Sequence, residues 1–323
     1  MEVYRDVREV ARELTIPCVT IGNFDGVHLG HQRLFREVVG RARQLGGTGV
    51  ALTFDPHPLK VLRSDGIQLI STLEQKVELI EMAGIDVLLV LPFTSDFAAT
   101  SAEHFVADIL VNGLKLRELV VGYDYAFGKG RRGNIEFLRR QGQEHGYAFS
   151  VVDALQVDGM VVSSSKIREL IGQGRMGEVR QLLGRPYQIR GEVQRGRQRG
   201  GRVVGFPTAN LRLAEEDLCP RLGVYVVQVV CGGRCHGGVL NIGHNPTFGE
   251  EHLVAETHIF DFDKNIYGHP IKLNLLAYLR EEQRFDGPEA LAAQIHRDIA
   301  AAHAVLDANL LELVRACGES YNA

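Results

Sequence analysis

The chain has 323 residues, 45% hydrophobic and 24% charged, and a formal net charge of -4. Its length suits two domains, and its mild acidity speaks against a nucleic-acid partner, whose binders are usually basic. No run approaches the ~20 apolar residues that span a bilayer, Met1–Asp6 lacks a signal-peptide core, and five scattered cysteines fit a reducing cytoplasm better than a disulfide framework.

In chain order, apolar runs that read as buried strands end at Phe24, at Phe54 (Val50 to Phe54), at Phe93 (Val87 to Leu91) and at Tyr123 (Leu119 to Val121). Between them lie helical patterns. Leu34, Phe35, Val38, Val39, Ala42 and Leu45 recur at helix spacing, and Ser71-Thr72-Leu73-Glu74 and Thr100-Ser101-Ala102-Glu103 match the capping box. Continuous apolar strands alternating with helices predict an α/β unit with a parallel sheet covered on both faces. Ligands of such sheets sit beyond the carboxyl ends of the strands. His28, the Asp55-Pro56-His57-Pro58 turn and Asp124 all follow strand ends, so they are expected to converge on one cleft.

The pattern changes at Leu183-Gly184-Arg185-Pro186. From there, runs at Tyr187 to Val193, Val224 to Cys231, His236 to Ile242, Ala255 to Phe262 and Ile271 to Leu279 are separated by Gly-rich turns. That spacing predicts an antiparallel barrel or sandwich. Gly287-Pro288-Glu289 then starts a closing helix with Leu291, Ile295 and Ile299 on one face.

Two segments of the first half carry phosphate chemistry. His28-Leu29-Gly30-His31 lies at a strand-to-helix junction, where free N–H groups and the helix dipole favour an anion. Imidazole N–H donors there stabilise the charge that builds on a phosphoryl group under attack. Ser163-Ser164-Ser165-Lys166-Ile167-Arg168 opens another helix with hydroxyls and two cations, a second clamp. Together they predict a triphosphate held between the two turns. In the second half, Thr208 and Asn210 lie two residues apart on an extended segment and share one side. Both offer hard oxygen ligands suited to Mg²⁺ shared with ATP phosphates. Cys231-Gly232-Gly233-Arg234 reads as a hairpin turn rather than a metal site. The basic run of Arg190, Arg195, Arg197, Arg199 and Arg202 reads as flanking a nucleotide or solvated, not as an RNA site.

These residues carry a resemblance. Gly22-Asn23-Phe24-Asp25-Gly26-Val27-His28-Leu29-Gly30-His31, Thr53-Phe54-Asp55-Pro56-His57-Pro58 and Gly122-Tyr123-Asp124-Tyr125-Ala126-Phe127-Gly128 resemble successive signatures of the HxGH nucleotidylyltransferases, and within them the flavin adenylyltransferase module. That module's Ser-Ser-Thr-Arg-Ile-Arg segment appears here with Lys166 in place of the first Arg. Lys keeps the charge but loses the bidentate fork, which leaves Arg168 as the firmer phosphate contact. Gly201-Arg202-Val203-Val204-Gly205-Phe206-Pro207-Thr208-Ala209-Asn210 resembles the riboflavin kinase signature, and Asn241 to Phe248, Glu256, Tyr267-Gly268 and Leu279-Arg280-Glu281 follow in that family's order.

The whole chain is thus similar to the prokaryotic bifunctional riboflavin kinase/FAD synthetases. The resemblance implies an adenylyltransferase domain over 1–184 and a kinase domain over 185–323, the latter a six-stranded antiparallel barrel with a C-terminal helix. It implies ATP-dependent conversion of riboflavin to FMN with release of ADP, then of FMN to FAD with release of pyrophosphate, in the cytoplasm with Mg²⁺. His28, His31, Arg168 and the base Glu256 would be catalytic. ATP would contact Gly22, Asn23, Phe24 and Gly30, the turn Ser163, Ser164, Ser165 and Lys166, and, for the kinase, Gly205, Phe206 and Pro207. Phe54, Asp55, Pro56, His57, Asp124 and Phe127 would hold the flavin of the adenylyltransferase. Thr208 and Asn210 would bind Mg²⁺. No nucleic acid or membrane partner is expected.

Overall fold

Strands that are apolar on both faces must be covered on both faces, and the computed structural model shows how the chain does so. It describes residues 1–10, 14–194, 206–213, 216–247 and 250–308. The chain divides into two compact units, Met1–Lys166 and Ile167 onward.

The first unit runs β1 (Glu2–Tyr4), α1 (Val7–Val10), β2 (Cys18–Ile21), α2 (Leu29–Leu45), β3 (Gly49–Asp55), α3 (Pro58–Leu62), α4 (Leu73–Met82) and β4 (Val87–Pro92). It continues with α5 (Ser95–Ala98), α6 (Ala102–His104) passing into a π-helical stretch (Phe105–Gly113), β5 (Glu118–Gly122), α7 (Ile135–His145) and β6 (Ala148–Val152). A short β7 (Gln156–Val157) and β8 (Met160–Val161) hairpin precedes α8 (Ser164–Gly172), within which the division falls. The six main strands pair in parallel in the order β1-β4-β3-β2-β5-β6. Strand alternation splits their side chains between two cores. Val19, Ile21, Leu52, Leu89 and Leu119 fill one. Cys18, Ala51, Leu88 and Val120 fill the other with Leu34, Phe35 and Val38 of α2.

The expected α/β sheet is therefore present, and the strands missing from the sequence reading are its edges. β1 is short with mostly exposed side chains, and β6 has no fully buried residue, so neither shows a continuous apolar run. Both capping boxes start one residue later than expected. Thr72 caps α4 with Gln75 as its reciprocal partner, and Ser101 caps α6 through the His104 N–H. The Ser71 hydroxyl is engaged elsewhere, accepting from the Gly26 N–H at 3.0 Å.

The second unit continues from α8 through α9 (Met176–Leu183), β9 (Tyr187–Glu192), β10 (Ala209–Arg212), β11 (Gly223–Cys231), β12 (Arg234–Thr247), β13 (Glu250–Ile259), β14 (Pro270–Arg280) and α10 (Pro288–Ala308). The strands pair antiparallel in the order β10-β13-β12-β11-β14-β9. A bridge between Gln194 and Asn210 brings the two ends of the sheet together, so the arrangement is a nearly closed barrel rather than a sandwich. Val226 and Leu276 pack with Phe260 against Ile299, Ala302 and Val305 of α10, so that face is the outside. Tyr225, Val227 and Val229 alternate with Val226, are fully buried, and line the interior. Gly237 lets α10 approach, since a Cβ there would lie 2.5 Å from Leu306 Cδ1. Cys231 and Arg234 close the β11–β12 hairpin across Gly232 and Gly233, both at positive φ, which bears out the turn reading of that segment. Cys18, Cys219 and Cys231 are free thiols, but Cys235 is disulfide-bonded, a departure from the free-thiol expectation. Among the described residues no helix is long and apolar enough to cross a membrane.

The helix α9 precedes the sequence break, yet it packs on β9 and β14 of the barrel. Met176, Val179, Leu182 and Leu183 are its buried side chains. A fragment starting at Ile167 should melt in one cooperative transition. A fragment starting at Arg185 lacks α9 and should be less stable by several kcal/mol, since burying each such side chain contributes roughly 1.5–3 kcal/mol. Thermal melts followed by circular dichroism compare the two, and equal midpoints would show that α9 adds nothing.

Candidate active sites

Beyond β2 the backbone of the first unit is bent sharply. Phe24 and Val27 have φ of 50° and 40°, left-handed values that cost a side-chain-bearing residue ~1–2 kcal/mol each. Asp25 holds them there. Its carboxylate is buried and accepts from the Ile70 N–H at 3.0 Å and the Ser71 N–H at 3.2 Å. Its own carbonyl accepts from the Ser164 hydroxyl at 3.0 Å. The loop is thus pinned both to the start of α4 and to the start of α8. Asn23 is exposed on it, and its carbonyl accepts from the Thr53 hydroxyl at 3.2 Å. The Gly22 N–H donates to the Leu52 carbonyl in the middle of β3.

His28 caps α2, its Nδ1 accepting from the His31 N–H at 3.3 Å. That bond places the proton of the neutral His28 ring on Nε2. The two imidazoles stack with centroids 3.6 Å apart and planes 16° from parallel. Gly30 makes room for the stack, because a Cβ there would sit 3.2 Å from the His28 ring. Phe24 meets His31 edge-on at 5.3 Å and is itself core, so only its backbone can face a ligand. At the α8 start, the Ser163 hydroxyl accepts from the Lys166 N–H at 3.2 Å, Ser165 is exposed, and Arg168 follows half-buried. Through Asp25 and Ser164 the histidine turn and the serine turn are joined, as the sequence anticipates.

The sequence gives no warning of Lys76. Placed on α4 among charged residues, it reads as solvated, yet it is only 5% exposed. Burial pulls its ammonium below the ordinary lysine range, and the charges of Asp25 and Asp55 oppose that. Asp55 ends β3 and meets Arg5 at 3.5 Å, a cis bond joins it to Pro56, and buried His57 caps α3 through Leu59. From Phe54 an aromatic cluster runs through Phe97 (5.8 Å) and Phe105 (6.2 Å) to Phe127 (5.0 Å). Tyr125 stacks on Phe127, and its buried hydroxyl has no hydrogen-bond partner among the described residues. Asp124 is exposed beside this cluster in sequence, after β5.

In the second unit the site is written in strand register. Asn210 on β10 stands opposite Glu256 on β13, and Glu256 stands opposite Asn241 on β12. Asn241 donates to Glu282 Oε1 at 3.2 Å. Burial raises the Glu256 pKa, and the charge of Glu282 adds to the rise. Asn210 Nδ2 donates to the Thr208 carbonyl at 3.3 Å, which turns its Oδ1 away as an acceptor. Neither Asn241 nor Glu282 stands out in the sequence as a partner of Glu256. Phe206 and Pro207 lead into Thr208, whereas Gly205, the Gly201–Val204 stretch, Arg195, Arg197, Arg199 and Phe248 lie outside the described residues. Arg280 is engaged structurally, its guanidinium pairing with Asp298 of α10 at 2.7 Å.

Comparison with known proteins follows the same division. Residues 11–166 match the FAD synthetase family and residues 183–306 the riboflavin kinase family. The bifunctional riboflavin kinase/FMN adenylyltransferase of Listeria monocytogenes is 38% identical over 283 residues, covering 87% of this chain and 89% of that protein. The protein of the same name from Escherichia coli K12 is 34% identical over 301 residues, covering 92% and 96%. A Streptococcus pneumoniae crystal structure, described as that of a macrolide-efflux protein, superposes with a TM-score of 0.84 at 30% identity, covering 94% of this chain and 99% of that one. The efflux name belongs to the pneumococcal protein and finds no counterpart in the sites above. With both halves matched in order and relatives aligned along most of their length, the chain belongs to the family of bifunctional riboflavin kinase/FMN adenylyltransferases.

Proposed function

We propose that the two activities of the family are divided along the chain, FMN adenylylation over 1–184 and riboflavin phosphorylation over 185–323. The chain phosphorylates riboflavin to FMN with ATP, releasing ADP, and transfers AMP from ATP to FMN, giving FAD and pyrophosphate. One observation carries the division. The stacked His28–His31 pair, with the serine turn pinned to its loop, lies in the stretch matching FAD synthetases, while the Asn210–Glu256 register pair lies in the stretch matching riboflavin kinases.

In adenylylation, an FMN phosphate oxygen attacks the α-phosphorus of ATP, and the bond to the β-phosphate oxygen breaks. His28 and His31 donate to the oxygens on which charge builds, with no covalent enzyme intermediate. Ser163, Ser164 and the α8 start receive phosphate, with Arg168 and Lys166 supplying cations. The flavin lies along the aromatic cluster that includes Phe54 and Phe127, with Asp55, Pro56, His57 and Asp124 at its rim, and the Tyr125 hydroxyl offers it a donor. In phosphorylation, Glu256 takes the proton of the ribityl hydroxyl as that oxygen attacks the γ-phosphorus, and the bond to the β–γ bridging oxygen breaks, with ADP leaving. A carboxylate raised by burial is a stronger base for that task. Thr208 Oγ1 and Asn210 Oδ1 would hold Mg²⁺, which neutralises charge on the ATP phosphates. The cytoplasm is the setting proposed.

Replacing both His28 and His31 with Ala should nearly abolish FAD formation while FMN still accumulates from riboflavin and MgATP. Chromatography of the flavins reads this directly, and an equal loss of FMN in a folded variant would sink the division. At the serine turn, Arg168→Ala should slow FAD synthesis more than Lys166→Ala. A lost charge-assisted bond costs roughly 1.5–3 kcal/mol, about ten- to a hundredfold in rate. Steady-state kinetics with the order reversed would make Lys166 the principal contact.

Glu256 acts ionised, and its pKa lies above the ordinary 4.5, first through burial and then through Glu282. kcat/KM for FMN formation should therefore fall, as pH drops, at a higher pH than an exposed carboxylate would give. Removing one charge with Glu282→Gln should move that limb to lower pH, and Glu256→Gln should stop turnover. A limb that stays in place in Glu282→Gln would assign it to another group.

A further inference from the structure

We infer that His258 is a positioning residue for the phosphorylation step, fixing the Pro207–Thr208 peptide and thereby the Thr208 hydroxyl. The inference rests on Thr208, Asn210 and Glu256 being the kinase site. His258 lies two residues beyond Glu256 on β13, so both side chains leave the same face of the barrel. Its Nδ1 is 2.9 Å from the Pro207 carbonyl oxygen. A carbonyl only accepts, so Nδ1 carries the hydrogen, in the neutral ring and in the charged one alike.

The position of that bond gives it leverage. The Pro207 carbonyl and the Thr208 nitrogen belong to one rigid peptide plane. The next plane, through the Thr208 carbonyl, is held by Asn210 Nδ2 at 3.3 Å. Thr208 thus has a clamped peptide on each side, one clamped by His258 and the other by its co-ligand Asn210. Phe206 completes the support. Its ring meets His258 edge-on at 5.3 Å and His296 of α10 at 5.2 Å. A Thr hydroxyl on a free loop would have to be ordered at each encounter with nucleotide, and here the ordering is built in.

Two substitutions of the full-length chain separate the bond from the ring. His258→Phe keeps the edge-on contact but has no donor, while His258→Asn offers an amide N–H close to where Nδ1 stood. His258→Phe should raise the KM for MgATP in riboflavin phosphorylation about tenfold, with a smaller effect on kcat. FAD formation from supplied FMN serves as the internal control and should be unchanged. His258→Asn should recover most of the loss, which a purely packing role would not allow. An unchanged KM in His258→Phe, no rescue by Asn, or an equal loss of FAD formation would each overturn the inference. If His258→Phe does not fold, His258→Asn against His258→Ala gives the same comparison. Thr208→Val, assayed alongside, tests the premise separately: if its KM for MgATP is normal, the assignment of Thr208 fails rather than the clamp.

Discussion

Everything at the carboxyl end of the parallel sheet depends on one buried carboxylate. Asp25 gathers N–H groups from Ile70 and Ser71 and, through its carbonyl, the Ser164 hydroxyl. Charge-assisted bonds of this kind are about twice as strong as neutral ones, and here several converge on one group. They offset the left-handed conformations of Phe24 and Val27, which alone would relax. The same network sets where α2 begins, and so where His28 caps it. The loop before the stacked imidazoles is pinned through the Asp25 carboxylate and the serine turn through its backbone carbonyl, so both depend on one residue.

Lys76 belongs to the same arrangement. A buried ammonium is costly unless charge lies nearby, and Asp25 and Asp55 act on it from the ends of adjacent strands β2 and β3. Those strands lead into the histidine turn and the proline turn respectively. The charges of both acids favour the ammonium form that burial disfavours, which ties Lys76 electrostatically to both loops.

Much of this is legible in the sequence, and what is not has physical reasons. Strands β2 to β5 are legible because burial on both faces leaves an unbroken apolar run. β1 and β6 are edges, exposed on one side, and leave none. The histidine turn and the serine turn are legible because a helix start needs particular residue types. Asn241, Glu282 and His258 are not, because their meaning comes from register and from loops far along the chain. Glu256 itself is marked in the sequence by the family resemblance alone, and its partners across β10 and β12 emerge only from the register. Phe24 illustrates the converse case, a residue marked by its place in a phosphate-binding signature whose ring lies in the core beneath His31.

The two units solve the problem of holding a reactive group by different means. The first stores backbone strain in a loop and holds it with hydrogen bonds at Asp25, so its geometry is local. In the second, Asn210, Glu256 and Asn241 meet only because three strands keep one register, and a slip of one residue would send Glu256 to the barrel interior. Other devices shape the rest of the barrel. The Gly232–Gly233 turn sets β11 against β12, and Gly237 admits Leu306 so that α10 packs on the outer face. The Arg280–Asp298 pair, 18% and 7% exposed, then ties the end of β14 to that helix. A partly buried pair of this geometry holds alignment more than it adds stability. The Glu256 carboxylate of the barrel is thus placed by its sheet, and the stacked histidines of the other unit by one loop.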